Sequence, residues 1–476
     1  MSNNTKAVST KLDVKKTILI GSGFLASSIA WAIYDPYVTK LLKRLLEASD
    51  TVTNWSNSVT DSSGAGLLWN FLKTQDSDTA GTAVFTLVPL FIGIIMTFDN
   101  VFGVIFQPAF GKLSDRHKSK WGKRRPFIFV GAPVAALLFA LIPWMNSITT
   151  IMIAIILFVF VMSLWRSPVV ALMPDLTPPH LRSEGNAVIS LCGGIGTAIG
   201  MVVGKGFVTL FNLNGEKLEE APFVFGTGAI VMIIATIVLR FKVKEQDSRL
   251  PVHQEEKTPE EKKEKQSLKA LPKDARRSLI FMLFSLFFLF SGANAIQTFF
   301  ALFADEVLHK ETNDATAMML VFAVAAMAAA IPAGKCGKRF GRKKTIIAGM
   351  FTFMLVFVLY VTTKNPSMIW VALIIGGAAN MLIMVNTLPL VLEIGGLDKV
   401  GTFTGYYYTA TFSAQIASPI IYGMVRMFTG TYMSLFWYCP VLFALALMSI
   451  LFVKHGEADQ DALEEMVKQL ELENAD

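Results

Sequence analysis

A chain of 476 residues that is 53% hydrophobic and only 17% charged cannot hide its apolar mass in soluble cores, which at this size come with roughly a quarter charged residues. Twelve bilayer spans of about 20 residues would use about 240 positions, close to the roughly 250 apolar ones that this percentage implies. The composition therefore excludes a soluble enzyme, a coiled coil and a disordered chain, and the net charge of +7 lies in short blocks between apolar runs, as membrane topology requires and nucleic-acid binding does not.

In chain order, Met1 to Lys16 is polar, with no apolar core ahead of a cleavage site, so the first apolar run is predicted to be a retained helix. Runs of helix length fall at 17–41, 82–110, 126–145, 148–173, 187–210 and 222–241, and again at 276–304, 315–333, 345–362, 368–392, 401–427 and 432–453. Pro36 predicts a break in the first of them. The Ser/Thr/Asp/Asn-rich stretch from Leu42 to Gly81 reads as an exterior loop, and Asn54-Trp55-Ser56 in it matches a glycosylation sequon. The expected organisation is a six-helix bundle over 1–241, a charged cytosolic linker over 242–275, a second six-helix bundle over 276–453 and an acidic cytosolic tail over 454–476. Cys192, Cys336 and Cys439 are far apart and suggest neither a disulfide framework nor a metal site.

Orientation follows from two basic connections. Lys112 to Arg125 holds seven Lys or Arg, and Gly334 to Lys344 holds six. Each follows the second run of its half, so positive-inside places both, and both termini, in the cytosol. In and beside them Gly111, Asp115, Arg116, Gly122, Arg124 and Arg125, with Gly341 and Arg342 in the second half, have the chemistry of a conformational gate. Glycines let helix ends approach and turn sharply, and arginines bridge carboxylates. A signature repeated one half later implies two similar bundles, as in a transporter whose substrate site lies between them. Gly193, Gly194, Gly196 and Gly200 lie inside an apolar run without a Lys-Ser/Thr ending, so they are close-packing positions and not a phosphate loop.

On these loops the chain resembles the major facilitator superfamily. Ser114 to Phe127 (Ser-Asp-Arg, then Trp-Gly-Lys-Arg-Arg-Pro-Phe) and Pro174 to Ser183 are similar to the glycoside–pentoside–hexuronide:cation symporters, especially the sucrose/proton-symporter-like branch. The resemblance implies an all-α membrane protein of 12 transmembrane helices in two six-helix bundles. The carboxylates of its sodium-coupled members fall where this chain has Gly103, Gln107 and Arg166, so it implies no family-type sodium site.

Ionisable groups at bilayer depth are functional candidates by default. Asp35, Asp99 and Arg166 stand out, and Asp99, Gly103 and Gln107 share one helix face. Arg166 is expected to pair with Asp99 or Asp35, because an acid that gains and loses such a partner changes its proton affinity. Lys205 and Arg426 are expected to snorkel. For a sugar, which needs hydrogen-bonding groups beside flat apolar faces, the candidates are Trp31, Tyr34, Gln107, Asn294, Gln297, Asn380, Tyr408 and Gln415. Thr404, Tyr408, Thr411, Gln415 and Ser418 form the cleanest polar stripe. The resulting expectation is a monomeric secondary transporter of the cell membrane, moving a sugar or glycoside by alternating access with protons. It is expected to need no cofactor, no metal and no nucleic acid. A drug/proton antiporter or a passive facilitator of the same fold is the alternative, and the absence of any HExxH or Gly-x-Ser-x-Gly motif argues against an enzyme.

Overall fold

The structure, a computed structural model, describes residues 12–61, 66, 69–70, 85–117, 119, 121–177, 182–211, 221–243, 272–363, 367–395 and 400–454. The described chain is helical: α1 (Val14–Glu47), α2 (Asp50–Asp61), α3 (Val88–Met96), α4 (Phe98–Arg116), α5 (Arg125–Leu141), α6 (Ile148–Leu176), α7 (Arg182–Phe211) and α8 (Ala221–Lys242) make the first half. The second half comprises α9 (Lys273–Val307), α10 (Thr312–Phe340), α11 (Arg342–Thr363), α12 (Met368–Gly395), α13 (Val400–Thr429) and α14 (Leu435–Leu451). Most of the linker and of the acidic tail lie outside the described residues.

Among the described residues eleven helical segments are long and apolar enough to cross a membrane, α3 and α4 together forming one of them. The helix that completes twelve spans is α13, 30 residues long, whose polar stripe lowers its hydropathy. The apolar runs therefore mark the helices well and their ends poorly. α1 continues through Pro36 without a break and reaches Glu47, and α2 follows almost at once, so Leu42 to Asp61 is mostly helical where a loop was expected, and most of the rest of that stretch lies outside the described residues. Pro36 has no N–H for the Ala32 carbonyl, a loss of one bond that a membrane helix tolerates; the Thr39 hydroxyl donates to the Pro36 carbonyl at 2.9 Å. Ser56 of the sequon is buried; its hydroxyl donates to the Val52 carbonyl at 2.8 Å and accepts from the Leu87 N–H at 3.0 Å.

The second span is the one with an unforeseen interruption. It divides at Thr97, whose hydroxyl donates to the Gly93 carbonyl at 2.8 Å, the back-bonding that bends helices. Gly196 and Gly200 let α7 lie on α1: a Cβ would fall 2.4 Å from the Leu25 carbonyl oxygen at the first and 2.7 Å from Ala32 Cβ at the second. Gly194, expected to be a packing position, has nothing within 4 Å.

The described residues fall into two compact units. One is drawn from Met1–His253, Ala295–Leu320 and Ile416–Leu435, the other from Gln254–Asn294, Val321–Gln415 and Phe436–Asp476. The core of the first is an aromatic column in which Trp31, Tyr34, Phe158, Phe139 and Phe225 succeed one another at centroid distances of 5.3, 5.6, 5.1 and 4.6 Å. The core of the second is built around Phe353, which meets Phe357 and Phe443 edge-on, each at 5.0 Å.

Candidate functional site

In the first unit α1, α4 and α6 bring the three intramembrane charges into one neighbourhood. The break at Thr97 makes Asp99 a first-turn residue of α4, where uncapped N–H groups seek an acceptor. Its Oδ1 accepts from the Asn100 backbone N–H at 2.7 Å and from Asn100 Nδ2 at 2.9 Å. Asp35, on α1, accepts from Gln297 Nε2 of α9 at 3.0 Å.

Arg166 does not make the expected ion pair. Among the described residues no carboxylate oxygen lies within 4.0 Å of it, and its guanidinium sits over the Trp31 ring, 5.9 Å from the centroid. Trp31 offers the Arg166 guanidinium a flat aromatic face in place of a carboxylate. Arg166 and Asp99 still feel each other's charge, as do Asp35 and Asp99. The group is one of charges in electrostatic reach, without direct contact.

The other predicted substrate residues divide. Trp31 lines the Arg166 side, whereas Tyr34 is completely buried in the aromatic column and acts as packing. Gln107 is half-buried, with its amide over Gly103 and its carbonyl taken by the Ser167 hydroxyl at 2.8 Å. In the second unit Asn294 has a buried Oδ1 with no partner among the described residues. Tyr408 is 48% exposed beside Tyr407 and Phe412, and Asn380 and Gln415 are half-buried.

At the basic-loop end each half carries the same brace. Gly122 (φ 106°) and Gly341 (φ 92°) take the left-handed turn just before a helix. Arg124, 6% exposed, donates to Asp175 at 2.9 Å, to the Ser114 hydroxyl at 2.5 Å and to the Gly111 carbonyl at 3.2 Å, and it pairs with Asp115. In the second half Arg342 pairs with Glu393. Both arginine–acid pairs are separated by 51 residues. Behind each brace a glycine of the helix before the loop seats a polar side chain of the fourth span: a Cβ at Gly111 would meet Ser167 Oγ at 3.1 Å, and one at Gly337 would overlap Asn386 Oδ1. Ser167 donates to the carbonyl of Gln107, and Asn386 donates at 3.2 Å to that of Ala333; each acceptor lies four residues before its glycine. The sequence showed the loops but not Asp175 or Glu393 as partners, although the shared spacing was the available signal. Arg116 is exposed and takes no part, and Arg125 turns away to the Arg240 carbonyl.

At the opposite end, helices of the two sequence halves meet within the first unit. Lys40 and Lys43 of α1 both hold Asp305 of α9, and Lys205 of α7 pairs with Asp314 of α10. Next to Asp305, Glu306 accepts from Arg426 at 2.8 Å, the Thr431 hydroxyl at 2.9 Å and the Tyr432 N–H at 2.7 Å. Lys205 and Arg426 thus form ion pairs where snorkelling was expected, and Arg426 is 8% exposed over the Tyr432 ring. In the same unit α3 and α13 cross with their backbones touching. A Cβ at Gly93 would fall 2.1 Å from the Pro419 carbonyl oxygen, and one at Gly423 would fall 2.5 Å from that of Pro89. Each helix thus carries a proline four residues before a glycine, and each glycine seats the other's proline carbonyl. Thr97 closes the crossing by donating to the Ile416 carbonyl at 3.1 Å. Asp305→Asn should leave Lys40 and Lys43 without a counter-charge and raise amide hydrogen exchange over 36–47 and 300–312 about threefold to fivefold, the yield of a half-exposed pair. Exchange across α11 is the internal reference.

Comparison with known proteins agrees with this architecture. The model of the Major Facilitator Superfamily matches residues 17–419 and, in a second alignment, 308–470. A human membrane-associated transporter protein is 30% identical over 163 residues, which is 30% of this chain and 30% of that protein. The sucrose transport protein SUC3 of Arabidopsis thaliana is 29% identical over 147 residues, 26% of this chain and 23% of that one; the matches thus span less than a third of either relative. Among solved structures, the nucleoside transporter NupG (D323A mutant) superposes with a TM-score of 0.66 at 13% identity, over 92% of this chain and 100% of that one. The chain belongs to the Major Facilitator Superfamily and has the multi-pass helical fold of its transporters.

Proposed function

We propose that the protein is a proton-coupled symporter of a sugar or glycoside, working by alternating access as a monomer in the cell membrane, with both termini and the basic loops in the cytosol. One observation carries the reading: Asp35 and Asp99 stand within electrostatic reach of each other on α1 and α4, and Asp99 also within reach of Arg166 on α6, which no described carboxylate neutralises directly. Unpaired charge at bilayer depth is costly and is kept where it moves an ion or binds a solute. The similarity to a sucrose transport protein supports a sugar or glycoside as the solute. In this reading the arginine braces hold each bundle rigid, and the Lys40/Lys43–Asp305 and Lys205–Asp314 pairs part when the opposite face opens.

Uptake of radiolabelled disaccharides into proteoliposomes tests the reading. An inward proton gradient should drive accumulation at least tenfold above the gradient-free level. In Asp35→Asn or Asp99→Asn the gradient should no longer drive uptake, while exchange of labelled for unlabelled solute continues. Full gradient-driven accumulation in both variants overturns the assignment of the coupling proton to these acids. Export of apolar cations without any sugar flux would favour a drug/proton antiporter.

A further inference from the structure

Arg125 and Arg240, which neither the braces nor the charge group uses, converge at the basic-loop end of α5 and α8. Both guanidinium groups lie over the Phe129 ring, at 5.1 Å for Arg125 and 5.5 Å for Arg240. Arg125 also donates to the Arg240 carbonyl, which fixes the two helix ends together. Arg240 is flanked by two more rings, Trp121 and Phe241, each 5.8 Å from its guanidinium carbon. Those rings are not core: Trp121 is 56% and Phe241 68% exposed.

Two cations that share a ring repel each other, and an aromatic face offsets only part of that cost. The neighbouring arginine shows how the chain neutralises a guanidinium when it means to, because Arg124 is held by Asp115 and Asp175. Arg240, in contrast, has no described carboxylate within 4.0 Å, and Lys242 adds to the positive field two residues on. The negative charge that would compensate Arg240 is one the described residues do not supply. The place limits what it is. The patch sits at the ends of two membrane helices, and exposed tryptophan and phenylalanine beside arginine are the side chains that settle at the headgroup level of a bilayer.

We propose that Trp121, Arg125, Phe129, Arg240 and Phe241 form a binding site for the phosphate of an anionic phospholipid headgroup, with Trp121 and Phe241 lying against its glycerol and upper acyl chain. The guanidinium N–H groups of Arg240 donate to the phosphate oxygens, and the rings hold the guanidinium plane in place for that contact. The site is separate from the three charges proposed for coupling, so it stands or falls apart from that reading.

Native mass spectrometry of the purified full-length protein, equilibrated with equal amounts of dioleoyl phosphatidylglycerol and dioleoyl phosphatidylcholine, tests it. The wild type should retain phosphatidylglycerol preferentially, and Arg240→Gln should lower the ratio of retained anionic to zwitterionic lipid about fivefold, as expected for one arginine at an anionic surface. Trp121→Ala should lower retention of both lipids while leaving the melting temperature in detergent unchanged. Lys112→Gln, an exposed cation of the same end outside the patch, is the control and should leave the ratio unaltered. An equal fall in Lys112→Gln, undiminished selectivity in Arg240→Gln, or displacement of the lipid by millimolar inorganic phosphate would each overturn the assignment.

Discussion

Gly93→Ala should cost the protein at least tenfold in uptake, because the added methyl has nowhere to go. It would sit 2.1 Å from the carbonyl oxygen of Pro419, and backbone cannot swing aside as a flexible side chain can. α3 and α13 must separate, which loosens the reciprocal seat of Pro89 on Gly423 and lengthens the Thr97–Ile416 hydrogen bond. Forcing a methyl into a filled contact costs about 1–3 kcal/mol, enough to shift a two-state equilibrium by one to two powers of ten. Gly423→Ala should behave alike, and the double variant should cost less than the sum of the two, since the first separation already makes room for the second. Spin labels near the outer ends of α3 and α13 should report a longer distance in both single variants. Gly194→Ala, with nothing within 4 Å, is the control and should transport normally.

That crossing was not legible in the sequence. Pro89, Gly93, Pro419 and Gly423 sit in runs read only for their apolar content, and no rule of periodicity says which helix a given glycine will face. What could be read was the part of the molecule set by composition and charge: twelve runs became the helices of the fold, and the two basic loops marked the repeated braces. The failures have physical causes. Pro36 does not break α1 because a proline removes only one hydrogen bond from a helix of 34 residues. Arg166 does not pair with an acid, and its guanidinium lies over the Trp31 ring instead, a contact that no pattern of charges in the sequence announces. Asp175 and Glu393 were passed over because an acid in the last turn of an apolar run looks like a solvated end until its arginine is placed.

Arg124→Ala is the second large effect. Arg124, at the start of the third span, joins four groups from the second and fourth spans of its half at one point. Removing it leaves Asp115 and Asp175, both partly exposed, to repel each other and leaves Ser114 buried without its donor. Loss of charge-assisted hydrogen bonds of this kind costs roughly 2 kcal/mol, and transport should fall more than tenfold because the brace fixes the ends of α4, α5 and α6. Arg124→Lys should recover little, since one ammonium cannot fork to two carboxylates. Asp175→Asn should be milder than Arg124→Ala, because Asp115 continues to balance the guanidinium. Arg342→Ala tests whether the second brace matters as much. It bridges fewer groups, so its loss should lower the uptake rate severalfold while thermal unfolding in detergent shifts by only a few degrees.

The polar stripe of α13 has a consequence for how the chain is made. A segment carrying Thr404, Tyr408, Thr411, Gln415 and Ser418 on one side partitions weakly from the translocon into lipid by itself, because each exposed hydroxyl and amide subtracts from the insertion free energy. It must therefore be integrated together with neighbours that cover that side, so the last third of the polypeptide is assembled as a group and not one helix at a time. Ribosome-bound chains ending soon after Thr429 should expose α13 to aqueous probes, and those extended through α14 should protect it.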